Sequence, residues 1–124
     1  MALIVRDGKI LMGLREYEKG KPVWTFPGGR CEVNEETEAG LKREVEEEIG
    51  VTDLEIKRLL GEKKGVWTNQ EGVTDQVFFY ECATKQEPKL MEPQKFLEWR
   101  WIDLKTLPDN LIDVQDSKFV ELIK

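Results

Sequence analysis

The sequence contains no histidine. That absence removes the commonest general base near neutral pH and the commonest zinc ligand. Acid–base or metal chemistry must then fall to carboxylates, tyrosine, lysine or cysteine. Cysteine is scarce: Cys31 and Cys82 are far apart, have no metal-type spacing and are too few for a disulfide framework. A reducing, cytoplasmic setting is the default expectation. No apolar run approaches the roughly 20 residues that a membrane span needs. The opening MALIVRDGKILMG has neither a basic region ahead of its apolar residues nor a cleavage pattern, so neither a signal peptide nor a membrane partner is expected. Positive charge is in deficit too, with 19 lysines and arginines against 25 acidic residues and a net charge of −6. That balance disfavours binding to a nucleic-acid backbone. It leaves room for a phosphate-bearing small molecule, provided that a cation intervenes.

What the chain does have is enough for one core. Its 124 residues, 40% hydrophobic with four tryptophans, suit a single domain over residues 1–124. Two apolar runs around Asp7-Gly8 predict a hairpin. REYEKGKP reads as a polar loop and VWTF as a short strand closed by Pro27-Gly28-Gly29. A helix fits Glu35 to about Ile49, stopped at Gly50. LEIKRLLG and DQVFFYECAT read as strands joined through EKKGVWTNQEGV, with Lys63 and Lys64 as turn residues. In FLEWRWIDL, Leu97, Trp99 and Trp101 alternate onto one buried face. The tail DSKFVELIK predicts a closing helix with Phe119, Leu122 and Ile123 on one side. Together these elements predict an α/β fold with a mixed sheet flanked by helices.

The central helix has an unusual charge pattern. Leu41, Val45 and Ile49 form an ordinary core stripe, and Glu44, Glu47 and Glu48 form a second stripe bordering it. Glu46 points away, toward solvent. Each like-charged pair at this spacing costs a few tenths of a kcal/mol, and acid near a helix C-terminus adds a comparable cost. Gly40, one turn earlier, gives up about 1 kcal/mol relative to alanine. A helix that concedes stability along one face commonly has something docking there. Two readings stand at this point: a solvated charge run, or hard oxygen ligands for a divalent cation such as Mg²⁺ or Mn²⁺.

The surrounding residues resemble a known signature. After Gly29 come five residues, then Glu35, seven residues, Arg43-Glu44-Val45, one residue, Glu47-Glu48, one residue, and Gly50-Val51. All nine specified positions match the box of the Nudix hydrolases. The preceding FPG, the RDGKILMGLR hairpin and EWRWIDLKTLP look like family segments as well, so the resemblance covers nearly the whole chain. It implies the Nudix fold, an α/β/α sandwich with a mixed central sheet, and hydrolysis of a nucleoside diphosphate linked to a further group. It also implies coordination of Mg²⁺, with Mn²⁺ an alternative, by Glu44, Glu47 and Glu48. A backbone carbonyl around Gly28 or Gly29 would be a further ligand. Arg43 and Glu35 would brace the box and its metal-bearing carboxylates. Glu44 or Glu47 would serve as base. Glu92, in EPKLMEPQKFLEW, is the candidate for an additional ligand or base from a later loop.

For the substrate, the resemblance leans toward MutT-like members, which convert nucleoside triphosphates to a monophosphate and pyrophosphate. Signatures of ADP-ribose, coenzyme A and NADH hydrolases are missing. Trp67 leaves a dinucleoside-polyphosphate hydrolase open as the alternative. A non-catalytic nucleotide-binding module is a third reading, disfavoured because no box carboxylate is lost. Arg15 matches a phosphate-contacting position. Trp24, Trp67, Phe78, Trp99 and Trp101 are available for base stacking, and Asn110, Gln115 and Asp116 for reading a base edge. Position 36 is Glu where the family has Ser or Thr, which points to Asn34 as the helix cap. The partner expected is a small nucleotide, and the protein a monomer or homodimer.

Overall fold

In the computed structural model the described residues are 1–29, 36–68, 74–111 and 117–124, with side chains described except at 64–68 and 74–75. The elements are β1 (Ala2–Arg6), β2 (Lys9–Glu18), β3 (Lys21–Thr25), α1 (Thr37–Ile49), β4 (Glu55–Thr68), β5 (Thr74–Ala83), β6 (Glu98–Asp103) and α2 (Ser117–Glu121). The six strands form one mixed sheet, β1 and β5 parallel and the other pairs antiparallel.

Strand β2 is the organiser. Its Lys9–Leu14 segment pairs with β6 along one edge. Its other edge is shared, since Lys9 and Ile10 pair with β1 while Gly13 onward pairs with β3. The sheet therefore forks between β1 and β3. The chain leaving β3 runs through that fork, where the Ala2 amide donates to the Pro27 carbonyl at 2.8 Å. Gly28 follows with φ +121°, a left-handed conformation that favours glycine. A Cβ there would also stand 3.0 Å from both Leu41 Cδ1 and Met1 Cα.

Strand alternation divides the core into two layers. Ala2 and Ile4 of β1, Leu11 of β2, and Tyr80 and Cys82 of β5 pack with Leu41, Val45 and Ile49 of α1. Leu3, Ile10, Met12 and Phe79 face the opposite way and pack with Phe119 and Val120 of α2. Phe79 and Phe119 stack with centroids 4.2 Å apart. The expected α/β/α sandwich is thus present, with a helix on each side of the sheet.

Local expectations differ in several places. REYEKGKP is not a loop: β2 and β3 continue as a hairpin to Glu18 and Lys21. Its side chains are polar because the ladder runs beyond the core, where backbone pairing needs no apolar partner. The connection between β4 and β5 is likewise shorter than predicted, the ladder reaching Thr68↔Thr74. Lys63 and Lys64 are therefore strand residues opposite Val77 and Gln76. Glu36 itself caps α1, its carboxylate accepting from the Glu38 and Ala39 amides at 3.0 Å each. Asn34, the expected cap, lies outside the described residues. In α2 the buried pair is Phe119 and Val120, whereas Leu122 is exposed. Leu97 precedes β6 and is also exposed, but Trp99 and Trp101 do share a half-buried face on the α1 side.

That face has a steric requirement. The Trp99 ring crosses Gly13 so closely that a Cβ on residue 13 would stand 2.7 Å from Cζ3. Trp99 is itself tilted against Phe96 at 4.5 Å and has little room to retreat. Gly13→Ala is expected to cost about 1–3 kcal/mol through overpacking. Urea unfolding of the variant against the parent checks this, and an unchanged midpoint would refute it.

Candidate active site

Helix α1 crosses the fork with its last turn above Gly28 and Gly29. Gly50 ends it in the left-handed conformation at φ 70°, its amide donating to the Glu46 carbonyl at 2.9 Å. The Ile49 carbonyl accepts from the Lys89 amide at 2.8 Å. The loop between β5 and β6 is thereby fastened to the acidic end of the helix. Its far end is fastened to β2 through the Leu97 amide, which donates to the Leu14 carbonyl at 2.8 Å. Between these anchors the Glu92 carbonyl accepts from the Lys95 and Phe96 amides, at 2.9 and 3.0 Å, in a tight turn. That turn places the Glu92 and Lys95 side chains beside α1.

The three box carboxylates occupy graded environments. Glu47 is 53% exposed, Glu44 18% and Glu48 1%. Glu48 lies with the core stripe, where it accepts from the Gly28 amide at 2.6 Å and pairs with the Lys95 ammonium at 3.2 Å. Burial raises its pKa above the usual 4.5, and the Gly28 amide and Lys95 oppose that rise. Glu44 packs on Gly29, where a Cβ would stand 3.1 Å from the Glu44 carboxyl carbon. Arg43 Nη1 bridges Glu44 at 3.1 Å and Glu47 at 3.2 Å. Glu46 is exposed, as expected.

Among the described residues no three acidic or cysteine side chains converge closely enough to enclose a metal ion. Arg43 holds two of the carboxylates, and Gly28 with Lys95 holds the third. The donor set still fits a hard divalent cation, because all of its side-chain donors are carboxylate oxygens on neighbouring backbone. One of them is short of a partner: Glu92 Oε1 is buried, makes no hydrogen bond among the described residues, and lies 3.9 Å from Lys95 Nζ.

A cleft next to this face is lined by Met1, Gly29, Thr37, Leu41, Gln76, Phe78 and Tyr80. Gly29 belongs to both cleft and acidic face. The Thr37 and Tyr80 hydroxyls are 3.1 Å apart in its wall. Arg15, within β2 rather than at its end, stacks over Tyr17 at 4.2 Å and faces Phe96 at 5.6 Å. It has no carboxylate partner among the described residues. Burial pushes the Cys82 thiol up to about 12, which rules it out as a nucleophile at neutral pH.

Arg43, Glu44, Glu47, Glu48, Glu92, Gly28 and Gly29 are thus brought together, with Arg15 one aromatic ring away. Asn110 is placed elsewhere: its amide donates to the Pro22 carbonyl at 3.0 Å, and its own carbonyl accepts from Trp24. Glu35, Gln115 and Asp116 lie outside the described residues, as does the Trp67 side chain. Sequence reasoning did not single out Lys95. Its signal was the three-residue spacing from Glu92 in a loop adjoining an acidic helix with no basic residue in its last turn.

An enzyme of the hydrolase class is what this fold and acidic helix define. The NUDIX domain model matches residues 1–123, and the chain belongs to the Nudix hydrolase family. It is 27% identical over 127 residues to an RNA pyrophosphohydrolase of Pelagibacter ubique, covering 91% of this chain and 79% of that protein. It is 41% identical over 51 residues to a CTP pyrophosphohydrolase of Escherichia coli, covering 40% of this chain and 38% of that one. Among solved structures, a MutT NUDIX hydrolase from Burkholderia pseudomallei superposes with a TM-score of 0.78 at 28% identity, covering 99% of this chain and 94% of that one.

The raised pKa of Glu48 has a consequence for stability. The folded protein holds this proton more tightly than the unfolded chain, whose value is the usual 4.5. Stability contributed at this site therefore falls as pH rises from there through the folded-state pKa. Glu48→Gln has no proton to lose. The melting temperature of the variant relative to the parent should climb with pH across that window and level off above it. A difference that stays flat or declines would contradict burial as the dominant influence.

Proposed function

We propose that the enzyme hydrolyses a nucleoside triphosphate to a monophosphate and pyrophosphate by attack of water on phosphorus, with Mg²⁺ or Mn²⁺ as cofactor. The observation that supports this reading is the placement of Glu44 against Gly29 and of Glu48 on the Gly28 amide, with Glu47 linked to Glu44 through Arg43 and Glu92 to Glu48 through Lys95. Glu44, Glu47, Glu48, Glu92 and a carbonyl of Gly28 or Gly29 would hold the cation. When bound it would offset polyphosphate charge and lower the pKa of a coordinated water.

The chain's own residues supply the rest. Arg43 keeps Glu44 and Glu47 side by side. Glu47, the most exposed of the three, is open to water and can accept a proton from it. Glu44, against Gly29, is the other candidate base. Arg15, braced by two rings and without a carboxylate partner among the described residues, would meet a phosphate oxygen. The nucleoside would lie against the mouth of the shallow cleft, where Phe78 offers a flat apolar face. Trp67 and Asp116 stay as candidate contacts for the base. A dinucleoside polyphosphate is the alternative substrate. An RNA substrate, as the name of the Pelagibacter relative suggests, meets the net charge of −6, which repels a long polyanion.

A panel of canonical and oxidised (d)NTPs, dinucleoside polyphosphates, nucleotide sugars and 5′-triphosphorylated RNA, assayed with Mg²⁺, separates these readings by products. Pyrophosphate and a mononucleotide from a triphosphate are expected. Glu47→Gln and Glu48→Gln should each lower kcat by about 10²-fold or more. Undiminished turnover in both variants would remove the assigned site.

A further inference from the structure

The last turn of α1 carries no lysine or arginine to balance its acids. The balancing charge arrives from the loop instead. We propose that the Lys95 ammonium is a built-in stand-in cation: it neutralises Glu48 and Glu92 in the metal-free enzyme and must be displaced when a divalent cation binds. The proposal rests on the metal site assigned above.

Glu48 has two oxygens to satisfy inside the protein. The Gly28 amide takes Oε1 and Lys95 Nζ takes Oε2 at 3.2 Å. The same ammonium is 3.9 Å from Glu92 Oε1, a buried oxygen with no hydrogen bond among the described residues. One positive charge thus sits between carboxylates from two separate segments and satisfies one of them incompletely. These are oxygens that a divalent cation would take, and its charge, close beside the ammonium, would repel the ammonium from them. Lys95 is suited to leaving. Its side chain is 31% exposed, and its Nζ lies no closer than 5.6 Å to the centroid of the neighbouring Phe96 ring. A lysine stem is long and flexible, so its charged end can swing into solvent while the stem stays packed.

Because the two cations compete for the same oxygens, their affinities are linked. Lys95 is then a positioning residue that sets the metal-binding constant without touching substrate. Removing its charge leaves Glu48 buried without its ion pair, which destabilises the metal-free protein, and frees the oxygens for metal.

The test is direct Mn²⁺ binding, by calorimetry or by electron paramagnetic resonance, together with thermal unfolding with and without Mg²⁺. Parent, Lys95→Met and Lys95→Arg proteins are compared. Lys95→Met, which keeps the stem, should melt lower than the parent without metal, gain more from Mg²⁺, and bind Mn²⁺ on the order of fivefold tighter or more. Lys95→Arg should restore parental metal-free stability and hold Mn²⁺ affinity at or below the parental level. Equal or weaker Mn²⁺ binding by Lys95→Met would overturn the displacement role while leaving the metal site standing. No Mn²⁺ binding by the parent would overturn both.

Discussion

The buried carboxylate of Glu48 is the constraint around which this enzyme is arranged. An anion that is 1% exposed must be matched from within. Its two matches come from opposite directions in the chain, the Gly28 amide before the helix and the Lys95 ammonium far beyond it. Neither match is possible unless three segments meet. The fork of the sheet delivers Gly28, the C-terminal turn of α1 delivers Glu48, and the loop fastened to Ile49 and Leu14 delivers Lys95. One residue therefore ties the glycine turn, the helix and the later loop into a single unit.

The neighbouring acids follow from the same geometry. Glu44 lies one turn earlier and meets Gly29, which has no side chain to obstruct it. Glu47 lies further round the helix, toward water, and Arg43 keeps it beside Glu44. The result is a gradient from a fully buried carboxylate to a half-exposed one across one helical face. Such a gradient suits a site that must grip a cation at its inner end and admit water at its outer end. Part of the cost of crowding acids at a helix C-terminus is offset from outside the helix by Lys95, which pairs with Glu48, so the helix sequence alone looks frustrated.

Much of this was legible in the residues. The core stripe of α1 follows from the spacing of Leu41, Val45 and Ile49, and the two-sided core from alternation in β1 and β5, because burial enforces period on each element. That Glu44, Glu47 and Glu48 border that stripe was legible in their spacing, but spacing alone left both a solvated charge run and a cation site open, and only the resemblance to the Nudix box chose between them. The extents of the β2–β3 and β4–β5 hairpins were not, since beyond the core their pairing is backbone alone and leaves no hydrophobic pattern. Nor was the capping by Glu36, whose longer side chain does what a serine or threonine would do. Lys95 escaped notice because its partner Glu48 is 47 residues away, and only the loop's attachment to Ile49 brings them together.

The central claim is that a divalent cation binds at the face where Glu44 and Glu48 meet the glycine turn, with Glu47 and Glu92 as the acids nearest them on the helix and the later loop. Paramagnetic broadening of backbone amide resonances by substoichiometric Mn²⁺ locates that ion without reference to any substrate. The account predicts that the amides of Gly28, Gly29, the Glu44–Glu48 turn and Lys95 broaden first, while those of α2 and the far end of β6 persist. Broadening centred away from the last turn of α1, or uniform weak broadening with no focus, would contradict it.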